Sequence, residues 1–327
     1  MILAGDIGGT KTVLALYRSE RDRLEVVREA VFPSREAGRF EDLLGQFVFG
    51  AVASGELTAA CFGVAGPVRD GQCRTTNLPW FLDERQLAKD LAVPKVKLLN
   101  DLEAAAFGML FLEKPDMAVL HEGAPTRPCG HIAVLAAGTG LGEAVLHWDG
   151  KEYAPIASEG GHADFAPQTD REIELLRFLR AEFGHVSYER VLSGPGLFNI
   201  YRFLRETSGV PEPAWLRERV DAGNPGAVIG DVGLARGHAL CVEALDLFAS
   251  IYGAEAGNLA LKVLARGGVY LGGGIAPKLL DKLADGTFTR SYLAKGRYTE
   301  LLRSIPVTVV LNTKAPLLGA AHYALRI

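Results

Sequence analysis

The chain has 327 residues, about twice the length of a usual domain, so two domains or one large bilobal unit are expected. Its 48% hydrophobic and 23% charged residues are ordinary for a globular protein and argue against large-scale disorder. A net charge of -4 gives no broad basic surface for nucleic acid, and no apolar run is long enough for a membrane span. Because Asp6 and its neighbouring glycines interrupt any secretory core, we expect a cytoplasmic protein.

The first third of the chain alternates strand and helix patterns. Short apolar runs predict strands, and apolar residues at helical spacing predict helices. The predicted elements are two strands over 2–16 joined by the turn 5–10, a helix over 40–52 stopped by Gly55, a strand over 59–65, a short helix opening at Asp83, a strand over 96–99 and a helix over 104–112. This alternation predicts a mostly parallel sheet with ligand sites at the strand ends.

A second hairpin near residue 132 is similar to the first. At a constant offset of 132, the segments Leu3-Ala4, Gly8 and Val13-Leu14 match Leu135-Ala136, Gly140 and Val145-Leu146. The match predicts a duplicated fold with the active site between two lobes. The elements predicted beyond it are helices over 173–183 and from Ser193 to 205, a long helix over 231–265, a strand over 269–271, a helix over 277–283, a strand over 307–311 and a helix over 317–325.

Three glycine-rich turns are candidates for phosphate binding, because glycine permits positive φ angles and leaves backbone N–H groups open to an anion. They are Gly5-Asp6-Ile7-Gly8-Gly9-Thr10-Lys11, Gly138-Thr139-Gly140-Leu141-Gly142 and Gly272-Gly273-Gly274. The first lacks the spacing of a Walker A loop, and the second lacks that of the dinucleotide fingerprint. Tight hairpin turns without a ligand are the alternative interpretation.

Asp6 distinguishes the first of these turns. A carboxylate beside open N–H groups repels a phosphate unless a cation lies between them. Asp6 is therefore predicted to contact, through water, an Mg²⁺ ion that is bound to phosphates. Thr10, Lys11 and Thr139 add donors for the charge on the transferred group.

Together with three further blocks, the glycine turns resemble the bacterial glucokinase family. The further blocks, which occur in the family's order, are Asn100-Asp101, Ser158-Glu159-Gly160-Gly161-His162 and Glu189-Arg190-Val191-Leu192-Ser193-Gly194-Pro195-Gly196. The resemblance extends over nearly the whole chain. It implies an α/β fold of the duplicated, actin-like (ribonuclease-H-like) ATPase class, with two lobes and an active-site cleft between them. It also implies a small domain of 1–108 with 313–327 and a large domain of 109–312.

The resemblance implies transfer of the γ-phosphoryl group of ATP to the 6-hydroxyl of glucose, with Mg²⁺, by a homodimeric enzyme. The sequence departs from close relatives at Lys11, where several have asparagine, so its phosphate contact is inferred from charge and position. The chain also lacks the cysteine-rich zinc motif of the wider family of repressors, open reading frames and kinases. We therefore place it in the zinc-free glucokinase branch.

Asp101 is the candidate catalytic base, because a sugar hydroxyl becomes a good nucleophile when a base takes its proton. The pattern alone favours a structural role. Asn100 with Glu103 forms a capping box, and Asp101 in the first turn would compensate the helix dipole. The glucokinase resemblance reverses that preference and assigns the base to Asp101.

Glucose presents hydroxyls that both donate and accept, so its site needs several fixed acceptors. The resemblance assigns the sugar contacts to Asn100, Asp101, Glu159, His162 and Glu189. From the pattern alone, Glu159 fits an exposed loop residue equally well, and His162 fits a structural histidine. Glu189 alone fits a first-turn acid after a Ser187 cap. We expect adenosine to lie against the backbone of Gly272, Gly273 and Gly274.

Other functional classes fit the sequence less well. A chaperone-like or actin-like ATPase would need a polymer contact or an added peptide-binding domain, and a sugar-sensing repressor would need an N-terminal DNA-binding helix pair. The sequence shows none of these features. A kinase for another hexose or an amino sugar stays open, because the orientation of one hydroxyl does not show in motif spacing.

Overall fold

The computed structural model describes residues 1–20, 23–49, 52, 55–124 and 129–327. The strands are β1 (Ile2–Ile7), β2 (Lys11–Glu20), β3 (Arg23–Pro33), β4 (Ala59–Val64), β5 (Val68–Arg69), β6 (Gln72–Arg74), β7 (Phe81–Asp83), β8 (Val96–Asn100), β9 (Met117–His121), β10 (Ile132–Ala137), β11 (Leu141–Trp148), β12 (Tyr153–Ser158), β13 (Gly268–Gly272) and β14 (Val307–Val310). The α-helices are α1 (Phe40–Val48), α2 (Glu84–Asp90), α3 (Asp101–Met109), α4 (Asp170–Phe183), α5 (Gly194–Thr207), α6 (Ala214–Ala222), α7 (Pro225–Leu234), α8 (Ala239–Val263), α9 (Leu280–Ala284), α10 (Thr287–Leu293), α11 (Thr299–Arg303) and α12 (Ala315–Ala324).

The chain divides into two compact units. The first consists of Met1–Glu113, Tyr153–Ala157 and Asn312–Ile327, and the second of Lys114–Glu152 and Ser158–Leu311. Among the described helices, none combines the length and the apolarity that a membrane span needs.

The first unit contains a five-stranded sheet in the order β3-β2-β1-β4-β8. Strands β1, β4 and β8 run parallel, whereas β2 pairs antiparallel with both β1 and β3. Successive side chains of a strand point to opposite faces. Leu3 and Ile7 accordingly join a core with Phe62, while Ile2 and Ala4 join a second core on the other face.

Helices α3 and α12 approach so closely that glycine is required where they meet. A Cβ atom at Gly108 would overlap the carbonyl oxygen of Ala315, and one at Gly319 would overlap that of Ala104. Asp101 is the first residue of α3. The close approach therefore fixes the position of the helix that carries the candidate base.

Substitution of Gly319 by alanine is expected to lower the free energy of unfolding by about 3 kcal/mol, because the added methyl group must separate two packed helices. The matched control is Gly45→Ala. Gly45 is exposed within α1, and a Cβ there would meet no atom within 4 Å. Alanine at 45 should therefore stabilise the fold by about 0.5–1 kcal/mol. Urea unfolding measures the free energy of unfolding of both variants, which should fall for Gly319→Ala and rise for Gly45→Ala. An equal fall in both variants would contradict the packing argument.

The second unit is built on strands in the order β11-β10-β13-β14-β9. Strands β10, β13 and β14 run parallel, and β11 and β9 pair antiparallel at either side. The alternation of strands and helices is thus confirmed. The prediction of mostly parallel sheets holds only for the middle of each sheet, because each also contains antiparallel strands.

The predicted long helix over 231–265 is wrong, since the structure has α7 and α8 with a break between them. Arg236 adopts a positive φ of 53°, and His238 caps α8 by accepting a hydrogen bond from the N–H of Leu240. The predicted helix over 277–283 begins only at Leu280, as α9. The predicted helix over 40–52 ends at Val48, and Ala51 lies outside the described residues.

Two similar hairpins are present as predicted, but the offset of 132 is wrong. Strands β1 and β10 begin at Ile2 and Ile132 and end at Ile7 and Ala137, so the hairpins are 130 residues apart. A shift of two residues leaves every side chain on the same face of a strand. The apolar pattern therefore matches at either offset.

Candidate active site

The turn between β1 and β2 is held in place by Ser34. The Ser34 hydroxyl donates to the carbonyl oxygen of Gly8 at 2.7 Å and lies 2.9 Å from the Thr12 hydroxyl, while its N–H donates to Thr10 O. Within the turn, the Gly8 N–H donates to the carbonyl of Lys11 at 3.0 Å. The side chains of Thr10 and Lys11 are exposed. Hydrogen bonds therefore hold the turn in one conformation, and the exposed side chains of Thr10 and Lys11 lie just beyond the end of β1.

Asp6 and Asp101 lie at the same edge of the first sheet, near enough for the charge of one to act on the other. Asp6 is next to last in β1, and Asp101 directly follows the parallel strand β8, with β4 between them. Burial, and after it the charge of Asp101, raises the pKa of Asp6 to about 6, against the opposing effect of Lys11. Carboxyl ends of parallel strands are the usual ligand edge of such sheets. Two acids meeting there favour a cation in the functional state.

Asn100 forms the predicted capping box at the start of α3. Its side-chain oxygen accepts from the Leu102 N–H at 2.9 Å, and Glu103 accepts from the Asn100 N–H at 2.8 Å. The Asn100 amide also donates to the carbonyl of Gly66 at 3.2 Å. Asp101 Oδ1 accepts from the Leu102 N–H at 2.9 Å. The structural role that the pattern predicted is therefore present, and it orients the Asp101 carboxyl.

In the second unit, the turn after β10 is joined to two other segments. The Gly138 carbonyl accepts from the Gly194 N–H at 2.8 Å, and the Ile275 N–H donates to the carbonyl of Ala137 at 3.1 Å. Glu189 Oε2 accepts from the Leu141 N–H at 3.0 Å. The glycine turn 138–140, the start of α5 and the glycine segment 272–274 therefore lie together.

Glu159, His162 and Glu189 lie on two adjoining 3₁₀ turns. The first is Gly160–His162, where the N–H of His162 donates to Glu159 O at 3.0 Å, and the second is Tyr188–Arg190. The N–H of Tyr188 donates to the Ala163 carbonyl at 3.0 Å, which ties the turns together. Glu159 and His162 are exposed, and Glu189 is half-buried. Ser187 occupies the predicted cap position, but its side chain makes no capping hydrogen bond, so the predicted capping role is wrong.

A cavity of about 870 Å³ opens in the second unit beside these glycine segments. Five of the residues that line it are glycines, namely Gly138, Gly194, Gly226, Gly230 and Gly274. Polar groups are placed by Thr139, Asn224, Asp231 and Lys278, and an aromatic side chain by Phe198. An apolar, glycine-walled cavity with a few polar groups suits a small organic ligand.

The residues of α7 that line the cavity, and Ser34, were not predicted from the sequence. The predicted long helix began only at Asp231, so the first turns of α7, which line the cavity, were not assigned to any element. The run Asn224-Pro225 was a usable signal, because Asn at the N-cap with Pro at the first helical position marks a helix start. The hydrogen bonds from Ser34 to the first glycine turn could not be predicted, because no pattern near Ser34 in the sequence indicates them. Within the described ranges, no group of three or more His, Cys, Asp or Glu side chains is arranged to hold a metal ion.

Comparison with known proteins yields one family over the whole chain. The family model described as Glucokinase matches residues 3–327. A curated protein from a Nostoc species named Glucokinase is 41% identical over 341 aligned residues, which cover 100% of this chain and 99% of that protein.

Solved structures give the same result. A glucokinase from an Antarctic psychrotroph is 30% identical with a TM-score of 0.87, covering 100% of this chain and 99% of that one. A ROK family glucokinase from Streptomyces griseus, solved with glucose and AMPPNP, has a TM-score of 0.63 at 22% identity, covering 100% and 99% of the two chains. The second likeness bears on the fold alone. The predicted α/β class of actin-like sugar kinases is confirmed.

Proposed function

The chain belongs to the glucokinase family, whose reaction is the ATP-dependent phosphorylation of glucose, and we propose which of its residues carry that reaction out. The observation that carries the proposal is the meeting of Asp6 and Asp101 at the carboxyl ends of parallel strands. Asp6 is proposed to act on the phosphates through Mg²⁺, and Asp101 is proposed to act on the sugar hydroxyl.

Asp101 is proposed as the general base. Its carboxylate accepts the proton of the glucose 6-hydroxyl while the sugar oxygen forms its bond to the γ-phosphorus. The bond from that phosphorus to the β,γ-bridging oxygen breaks, and ADP leaves. The hydrogen bond from the Leu102 N–H to Oδ1 fixes the carboxyl in one orientation, so little reorganisation is needed at the moment of transfer.

The sugar is proposed to contact Asn100, Glu159, His162 and Glu189. The two 3₁₀ turns hold Glu159, His162 and Glu189 on neighbouring backbone. Acceptors and a ring nitrogen at fixed positions suit a ligand whose hydroxyls both donate and accept. The complex of the Streptomyces griseus protein contains glucose, which supports the assignment of a sugar site to this family.

ATP is proposed to bind in the cavity of the second unit, with phosphates toward Gly138, Thr139 and Gly140. The glycine wall allows the adenosine moiety to approach the backbone closely. From the first unit, the residues proposed for the phosphates are Gly5, Asp6, Ile7, Gly8, Gly9, Thr10 and Lys11. Adenosine is proposed to lie against the backbone of Gly272, Gly273 and Gly274, of which Gly274 lines the cavity. The AMPPNP in the Streptomyces griseus structure supports an adenine nucleotide.

The residues present fit an Mg²⁺ ion that accompanies ATP. Asp6 is half-buried near a second carboxylate, and Lys11 offsets their negative charge only in part. Contact through water suits Mg²⁺, which keeps several of its waters and binds phosphate oxygens. When bound, the ion supplies positive charge for the transferring phosphoryl group.

The remaining assignments are proposals that follow from the family and the composition. They are a homodimer, a cytoplasmic location, the absence of nucleic-acid binding, and a division into domains of 1–108 with 313–327 and of 109–312. A coupled assay of the purified protein against a panel of hexoses, amino sugars and phosphoryl donors tests the function. The proposal requires glucose with ATP to be the preferred pair, and a clear preference for another sugar would overturn it.

Glu159→Gln is expected to weaken glucose binding about tenfold, because a hydrogen bond to a charged acceptor becomes one to a neutral amide. ATP binding should change little. The measurement is calorimetric titration with each ligand, and the control is Glu218→Gln on the exposed surface of α6. An unchanged Kd for glucose would remove Glu159 from the site.

A further inference from the structure

A buried acidic side chain lies beneath one of the proposed sugar-contacting turns. Glu143, on β11, is 2% exposed, and its Oε2 occupies the space that a Cβ at Gly160 would need. The N–H of Gly160 donates to the Ser158 hydroxyl at 2.9 Å. The turn that follows Glu159 therefore rests directly on the Glu143 carboxyl, and glycine at position 160 makes this possible.

A second buried carboxyl meets Glu143 from helix α8. Glu255 is 0% exposed and lies within hydrogen-bonding reach of Glu143. Glu143 Oε1 is buried and, within the described part of the chain, has no hydrogen-bond partner. Two ionised carboxylates would repel each other in such a place. The arrangement fits a single proton shared between the two acids.

The same network extends to the second sugar-contacting turn. Asn258 Nδ2 donates to Glu255 Oε2 at 2.8 Å and lies 3.0 Å from the Tyr188 hydroxyl. Tyr188 directly precedes Glu189, and its N–H donates to the carbonyl of Ala163. The two acids thus contact, directly or through Asn258, both turns of the proposed sugar site.

The titratable groups around the pair are Lys262, Lys295, Tyr188 and Tyr252, and the buried Glu172 acts on Lys295 as well. Lys262 Nζ donates to Glu255 at 3.3 Å, Lys295 Nζ donates to Asn258 at 2.7 Å, and Tyr252 faces Glu143 from the same helix. Burial, and then the Glu255 carboxyl, raises the pKa of Glu143 to about 7, against the effect of Lys262. Glu143 therefore keeps its proton below neutral pH and loses it above.

We propose that Glu143 and Glu255 are positioning residues, whose shared proton holds both 3₁₀ turns in the geometry that binds glucose. The proposal rests on the sugar site proposed above, because those turns carry Glu159, His162 and Glu189. The O–H of Glu143 donates to the Glu255 carboxylate. When that proton is lost to solvent, two carboxylates repel each other beneath the turns.

The test is the pH dependence of KM for glucose in the wild-type protein and in Glu143→Gln. In the limit where binding requires the proton, KM in the wild type rises about fivefold from pH 7 to pH 8. Glutamine offers Glu255 a donor at every pH, so KM in the variant stays within about twofold of the wild-type value at low pH. KM for ATP should not follow this profile. The control Glu218→Gln should retain the wild-type rise.

A merely structural role for Glu143 predicts a different result. In that case Glu143→Gln would show the same rise of KM with pH as the wild type, or would lose glucose binding equally at all pH values, and either outcome overturns the proposal. Where Glu143→Gln does not fold, Glu255→Gln is measured instead. It should also remove the rise, because a neutral amide at 255 ends the repulsion.

A second readout needs no catalysis. The pKa of Glu143 is about 7 in the fold and 4.5 as its ordinary value, so the folded state binds more protons between these pH values. Glu143 therefore makes the free energy of unfolding fall as pH rises from 4.5 to 7, and Glu143→Gln should remove that fall. Parallel stability profiles of the two proteins would overturn the shared proton. Failure of the wild type to phosphorylate glucose would instead overturn the proposed function, and the unfolding result would still stand.

Discussion

Asp101→Asn is expected to lower kcat by about 10²-fold or more, because the variant cannot accept the proton of the attacking hydroxyl. The asparagine oxygen can still accept from the Leu102 N–H, so the start of α3 should remain folded. Asp101→Ala should lower kcat to a similar extent. Steady-state kinetics with glucose and ATP, together with circular dichroism, measure the two effects.

The matched control for this prediction is Glu103→Gln. It removes an equal charge two residues further along α3 and keeps an oxygen that can accept from the Asn100 N–H. Its kcat should stay close to that of the wild type. A folded Asp101→Asn variant with nearly wild-type kcat would refute the assignment of the base.

Filling the glycine-walled cavity is expected to block the nucleotide. Ala227 lies in the first turn of α7, is exposed and lines the cavity. An indole at this position occupies space that adenosine needs, and a steric cost of about 3 kcal/mol corresponds to about 10²-fold weaker binding. Ala227→Trp should therefore raise KM for ATP about 10²-fold while KM for glucose changes little.

Ala222→Trp is the control for the filled cavity. Ala222 is the last residue of α6, is exposed and is not part of the cavity wall. Tryptophan there should leave both KM values unchanged. Titration with a non-hydrolysable ATP analogue separates binding from turnover. Undiminished nucleotide affinity in Ala227→Trp would place the nucleotide elsewhere.

The helix caps beside the proposed site could be predicted, because each depends on residues that are close together in the sequence. The capping box of Asn100 and Glu103 and the cap at Ser193 depend on residues three positions apart, and both are present in the structure. The hairpin of β1 and β2 could be predicted from two apolar runs on either side of a glycine-rich turn. The chemistry assigned to Asp101 came from the family resemblance, because first-turn acids are common at helix starts.

Contacts between distant segments were not predictable. Glu143 and Glu255 belong to a strand and a helix that are far apart in the chain, and the glycine motif that precedes Glu143 gives no indication of Glu255. The break between α7 and α8 depends on the positive φ of Arg236, which the apolar pattern across the break conceals. The start of α7, which lines the cavity, lay before the predicted helix and was not assigned to any element.

The most direct measurement is NMR of the product that the protein forms from ATP and glucose labelled with ¹³C at carbon 6. The account predicts phosphorus coupling at the labelled carbon with the wild-type protein, and its near absence over the same time with Asp101→Asn. Phosphate on another carbon, release of inorganic phosphate alone, or equal labelling by both proteins would contradict it.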